Sequence, residues 1–95
     1  MIIQIVKFKT TLSEEELLAV AKERLPQFLS IRGLVQKYYV RGSGEDEYAG
    51  VYLWDSKESL ETFRESGLAK SIPQAYKVVG NPVIDGGEVL FPLRD

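Results

Sequence analysis

The chain contains no cysteine and no histidine, so its chemistry must run on amines, phenols, amides, carboxylates and one indole. Disulfides, thiolate metal sites and cysteine nucleophiles are excluded, and the commonest general base and metal ligand is missing. Lys37 lies among apolar neighbours in Leu34-Val35-Gln36-Lys37-Tyr38-Tyr39-Val40. There an ammonium either faces a developing anion or carries its charge to the edge on an apolar stem. Tyr39, Tyr52 and Tyr76 bring phenolic hydrogen-bond donors, and Gln4 brings an amide that pairs with a ligand or a backbone group. Trp54, the single tryptophan, is a flat apolar wall that suits a ligand, a core or an interface.

Two further clusters carry no chemistry. Glu45-Asp46-Glu47 places three adjacent carboxylates in a loop, where they alternate in direction and lack the returning ligand that a divalent cation needs. Gly42-Ser43-Gly44 is followed by neither a lysine nor a helix start, so it is no phosphate loop. Twelve Lys and Arg are scattered among fourteen acidic residues, for a net charge of −2. Nucleic acid would need a concentrated positive field, which this distribution does not supply.

With 95 residues, 44% apolar and 27% charged, the chain can bury one core and reads as a single globular domain. No stretch reaches the roughly 18 to 20 consecutive apolar residues that cross a bilayer. The opening Met1-Ile2-Ile3-Gln4-Ile5-Val6 has no basic leader, so a cytoplasmic protein without a membrane partner is expected.

The elements that must position these side chains follow from pattern. Ile2 to Lys9 mixes β-branched, aromatic and polar residues as a strand does. Ser13-Glu14-Glu15-Glu16 is a capping box, and Leu17, Leu18, Ala21, Leu25, Phe28 and Leu29 form the inward stripe of the helix it opens. Pro26 predicts a kink or a loosening late in that helix, and Gly33 a stop. Leu34–Val40 and Tyr48–Trp54 predict an antiparallel hairpin across the polar loop at 41–47.

Asp55 with Glu58, or Ser56 in competition, caps a second helix that turns Leu60 and Phe63 inward and ends near Gly67. Leu68 to Tyr76 is ambiguous, with a helical turn before Pro73 as one reading. Lys77 to Ile84 predicts a fourth strand whose Pro82 favours an edge or a bulge. Asp85-Gly86-Gly87 reads as a turn, and Glu88 to Leu93 as a short fifth strand or arm. The order is βαββαβ, an α+β ferredoxin-like domain with an antiparallel sheet.

Helices on such a sheet cover one face only. Alternation nevertheless puts Ala49, Val51 and Leu53 opposite Tyr48, Tyr52 and Trp54, and Ile3 and Ile5 opposite Ile2, Val6 and Phe8. On the second strand it sets Val35 and Tyr39 against Leu34, Tyr38 and Val40. Both faces are apolar, which predicts a homodimer formed through the uncovered sheet faces.

The residues that carry these patterns resemble a known group. Gly33-Leu34 with Lys37 and Tyr39, then Ala49-Gly50-Val51-Tyr52-Leu53-Trp54, then Asp55-Ser56-Lys57-Glu58-Ser59-Leu60 are similar to the dimeric α+β barrel superfamily. Within it the likeness is to antibiotic-biosynthesis-type monooxygenases, and in particular to small monooxygenases of the YdhR type. The resemblance covers most of the chain. It implies a dimeric α+β barrel, a pocket between sheet and helices, and in some members oxygenation of electron-rich aromatics without metal or flavin, hence no cofactor.

On that reading the substrate, a small planar quinol-like aromatic, supplies the electrons. Lys37, Tyr52 and Trp54 are then the candidate catalytic residues, and Gln4, Tyr39 and Tyr76 the candidate substrate-binding residues. A histidine-ligated haem, found in some relatives, is excluded by composition. A non-catalytic ligand-binding or accessory dimer is the alternative. RNA recognition shares the strand order, but Asp46-Glu47-Tyr48-Ala49-Gly50-Val51 has acid where base is wanted and Gly50 where a stacking ring should be.

Overall fold

The computed structural model describes residues 1–94. Its order is β1 (Ile2–Thr10), α1 (Glu14–Glu23), α2 (Leu25–Leu29), β2 (Leu34–Arg41), β3 (Glu47–Trp54), α3 (Lys57–Arg64), α4 (Gly67–Ala75) and β4 (Val78–Glu88). The strands form one antiparallel sheet of order β2-β3-β1-β4, with the helices on one face. This is the ferredoxin-like α+β order predicted by pattern.

The capping box forms: the Glu16 amide donates to Ser13 Oγ at 3.1 Å, and the Ser13 amide donates to Glu16 Oε1 at 2.9 Å. The helix breaks at Arg24, two residues before Pro26. Pro26 thereby falls in the first turn of α2, where a missing amide costs nothing. Ser56, not Asp55, caps α3, its Oγ accepting from the Ser59 amide. The ambiguous stretch is a full helix, α4, with Pro73 inside it.

Two corrections concern the C-terminal part. Asp85-Gly86-Gly87 is not a turn, because β4 runs on through it, pairing Ile5 with Asp85 and Gln4 with Gly86. Glycine is required there for space: Gly86 has φ +139°, and a Cβ would lie 2.0 Å from the Ile3 carbonyl oxygen. The strand ends at Glu88, so no fifth strand forms among the described residues. Only the Val89 amide, donating to the Met1 carbonyl, continues the pairing. Pro82 does sit on an edge strand and at an irregularity, between Val83 opposite Lys7 and Val79 opposite Lys9.

The third correction lies in β2. Leu34 pairs with Trp54 but Gln36 with Leu53, so Val35 is an extra residue in the ladder. Simple alternation fails across this bulge. Leu34 therefore faces the helices together with Lys37 and Tyr39, while Gln36, Tyr38 and Val40 turn to the open face.

The core has two adjoining parts. Phe28, Tyr52, Trp54, Leu60 and Phe63 are buried under α2, α3 and α4. Leu17, Ala21, Tyr48 and Tyr76 are buried under α1. No element among the described residues covers the opposite face of the sheet, and Ile3, Tyr38, Val40 and Val83 are exposed on it. No helix among the described residues is long and apolar enough to cross a membrane.

Candidate active site

Between the two parts of the core the helices stand off the sheet and leave a cleft of about 200 Å³. Its lining includes Lys37, Tyr39, Tyr52 and Tyr76, so four of the six residues singled out in the sequence meet on one surface. Val6, Phe8, Leu17, Ile72 and Val78 supply apolar wall. Such a mix, mostly apolar with a few convergent polar groups, is the usual composition of a small-molecule site. The volume falls below the roughly 300–1,000 Å³ of drug-sized sites and suits a molecule of one or two rings.

Lys37 is positioned by β2 and by a glycine. Gly50 on β3 lies opposite Tyr39, and a Cβ there would come within 3.3 Å of Lys37 Cε and 3.2 Å of Tyr52 Cε1. The lysine stem thus runs inward across the space that Gly50 leaves open. Its Nζ ends 4.0 Å from the ring centroid of Phe28, 4.4 Å from that of Tyr39 and 4.6 Å from that of Tyr52. Ring faces attract an ammonium, but no carboxylate pairs with it among the described residues. Burial, and then the nearby Arg24 charge, pull its pKa down to about 7. Lys37 therefore exchanges a proton near neutrality, whereas the sequence offered it as an ammonium that faces an anion or runs to the edge.

The phenols behave in the opposite sense. Burial raises the pKa of Tyr39, Tyr52 and Tyr76, so each remains a neutral donor at neutral pH. Tyr76 is 3% exposed, and its hydroxyl has no hydrogen-bond partner among the described residues. The Tyr39 hydroxyl bears on its ionisation but lies outside bonding geometry. A buried donor without an acceptor costs about 1–3 kcal/mol, and here it belongs to a residue that lines the cleft. The Tyr76 backbone is held by Thr10, whose buried Oγ1 donates to the Tyr76 carbonyl oxygen at 2.5 Å.

Trp54 and Gln4 are placed differently. Trp54 is fully buried and does not line the cleft. Its ring stacks on Tyr52 at 5.8 Å and 5°, so it backs the wall instead of forming it. Gln4 is also buried, and its Oε1 accepts from Trp54 Nε1 at 3.0 Å. It borders a second hollow, on the other side of Tyr52, with Phe63, Ile72 and Ile84. The amide partner expected for a ligand is thus engaged by the indole.

Arg24 was not singled out in the sequence. Nη2 donates to Ser71 Oγ at 2.6 Å and to the Leu68 carbonyl at 3.4 Å, tying the α1–α2 break to α4. Its Nε is buried without a partner among the described residues. The signal was available: Arg24 falls seven residues after Leu17 and four before Phe28, which is the spacing of the inward stripe. At the cleft mouth Arg41 meets Glu14 in two contacts, Nε to Oε1 at 2.7 Å and Nη2 to Oε2 at 2.8 Å. Both side chains are well exposed, so the pair orients the mouth more than it stabilises the fold. No group of three or more acidic side chains that could hold a metal ion occurs among the described residues.

Solved structures share this architecture. SnoaB, a cofactor-independent oxygenase from Streptomyces nogalater, superimposes with a TM-score of 0.77 at 11% identity over 99% of this chain and 97% of that one. A candidate antibiotic biosynthesis monooxygenase from Bordetella bronchiseptica gives 0.77 at 17% identity over 95% and 97%. Rv0793 from Mycobacterium tuberculosis gives 0.74 at 12% identity over 97% of each chain. No protein-family model matches the sequence, and no curated protein matches it. The chain therefore has the α+β fold of the antibiotic-biosynthesis-monooxygenase proteins, the fold that the sequence resemblance implied.

Proposed function

We propose that the chain works as a cytoplasmic homodimer that binds a small planar, quinol-like aromatic in the cleft and oxidises it with molecular oxygen, without a cofactor. The observation that carries this reading is the convergence of one near-neutral amine and three phenols on an apolar cleft. Lys37 as the free amine takes a proton from the substrate, and the ammonium so formed faces the resulting anion. Tyr76 donates its unpartnered hydroxyl to the substrate oxygen. The carbanion adds oxygen to give a hydroperoxide. Loss of water then leaves a new carbonyl, so one oxygen atom enters the product and the other departs as water.

The homodimer reading rests on the open sheet face and on the tail, where Leu90, Phe91 and Leu93 are 92%, 76% and 83% exposed. Apolar surface of this extent is uncommon on monomers. A monomer mass in sedimentation at micromolar concentration would refute it.

Oxygen uptake tests the activity, using protein free of metal and flavin and a panel of hydroquinones and anthrones. Turnover that falls at least tenfold in Lys37→Met and Tyr76→Phe supports the reading. Saturable binding without uptake across the panel favours a ligand-binding or accessory dimer, the alternative that the same cleft allows.

A further inference from the structure

We infer that Lys37 is also a nucleophile, which condenses with a small aromatic aldehyde or a 1,3-diketone in the cleft and holds it as an imine. This goes beyond the oxygenase reading and needs no oxygen.

Three features of position carry it. Lys37 is one of seven lysines, and the other six are all exposed, whereas Lys37 alone is partly buried. Its Nζ is set against three ring faces within 4.6 Å, with the stem fixed over Gly50, so the amine is held in one place beside the cleft. No carboxylate compensates its charge among the described residues, and Arg24 adds a second cation nearby. A lysine desolvated among apolar groups and next to another cation is activated as a nucleophile.

The partners that imine formation needs are also present. The amine lone pair attacks the carbonyl carbon, and the carbon–oxygen π pair moves onto oxygen, which takes up a proton to give a carbinolamine. The carbon–oxygen bond then breaks, and the oxygen leaves as water carrying the two protons that the amine loses. Nothing is oxidised or reduced. The Tyr76 hydroxyl, buried and lacking an acceptor, is the donor that polarises the carbonyl and assists departure of water. The apolar walls flank the C=N bond and limit its hydrolysis. Lowering of the lysine pKa to about 7 leaves the amine largely uncharged at physiological pH.

The groups that face Lys37 are Arg24 from the α1–α2 break, Tyr39 on its own strand, Tyr52 on β3 and Tyr76 after α4. None is an acid at neutral pH; the one carboxylate lining the cleft, Glu14, lies at its mouth and is paired with Arg41, so no carboxylate contacts the amine among the described residues.

The test treats the whole protein under argon with benzaldehyde and borohydride at pH 7.5, then maps the benzylated peptides by mass spectrometry. Hydride from borohydride adds to the imine carbon and fixes the adduct. Lys37 should be labelled at least tenfold more than any other lysine, since ordinary lysines with pKa near ~10.4 are almost wholly charged at that pH. Pentane-2,4-dione should give an enaminone absorbance in the parent that is absent in Lys37→Met, with a rate that is half-maximal near pH 7. Tyr76→Phe should keep the site and form the adduct at least fivefold more slowly. Labelling spread over the exposed lysines, no adduct at all, or an enaminone band that survives Lys37→Met would each overturn the proposal. Because oxygen is excluded, failure here leaves the oxygen-uptake result standing, and failure of uptake leaves the adduct.

Discussion

Raising the pH from 7 to 9 should stabilise this fold, and Lys37 is the cause. In an unfolded chain a lysine gains its proton near ~10.4, while in the folded protein Lys37 does so at about 7. Between those values the unfolded state binds the extra proton, so stability rises with pH across the window. For one group with these two pKa values the linkage integral gives about 2 kcal/mol between pH 7 and 9, against less than about 0.5 kcal/mol between pH 6 and 7.

The window is clean because the chain has no histidine and no cysteine. The rise should end near pH 10. Tyr39, Tyr52 and Tyr76 have folded pKa values raised above their unfolded ones, so their contribution is present below that pH and is lost as the pH climbs further. Urea titrations at pH 6, 7, 8 and 9, followed by Trp54 emission, measure the profile directly. Lys37→Met should flatten it. A parent protein whose stability is level or falls between pH 7 and 9, or a Lys37→Met variant that keeps the rise, would refute the assignment of that proton to Lys37.

Further expectations follow from single contacts. Gln4→Met removes the acceptor of the Trp54 indole N–H at 3.0 Å and should cost about 1–3 kcal/mol in urea unfolding, the range for a buried donor left unpaired. Gly86→Ala sets a methyl against the Ile3 carbonyl in a backbone conformation with φ +139°. It should lower stability by more than the roughly 1 kcal/mol typical of a point mutant, with hydrogen exchange accelerating first along the β1–β4 ladder. If the open sheet face forms the proposed dimer, Leu53→Lys on that face should shift the mass in analytical ultracentrifugation from dimer to monomer without altering the far-ultraviolet circular dichroism.

Much of the fold was legible because local signals and tertiary packing agree. Ser13 with Glu16 announces a helix start and makes both bonds of its box. The alternation on Tyr48–Trp54 correctly divides helix-facing from open residues, since β3 is central and runs without interruption against β1. Where the reading missed, a long-range contact overrode a local rule. Gly86 and Gly87 resemble a turn in one dimension, but the close approach of the Ile3 carbonyl makes glycine the residue that lets a strand continue.

The site was legible in part for the same reason. Lys37, Tyr39 and Tyr52 were readable as neighbours, because adjacent strands bring them together. Tyr76 and Arg24 meet them through helix packing: the stripe spacing turns Arg24 inward, but which strand residues it and Tyr76 meet is decided by how the helices sit on the sheet. Trp54 shows the limit of residue type as a guide: a lone indole on a strand suits a ligand wall, and here the hydrogen bond that Gln4 offers and the stack on Tyr52 draw it wholly inside.

The extra residue at Val35 fixes which side chain of β2 reaches the interior. With an unbroken ladder beyond Leu34 opposite Trp54, Lys37 would sit opposite Val51 and its amine would project away from the cleft, with Gln36 in its place. Deleting Val35, by contrast, would leave Gln36 opposite Leu53 and Lys37 opposite Tyr52 on a regular ladder, with the amine still inside. The amine is therefore held inside by the bulge and not by strand length: losing the bulged residue is silent, whereas flattening the bulge at constant length exchanges the amine for an amide.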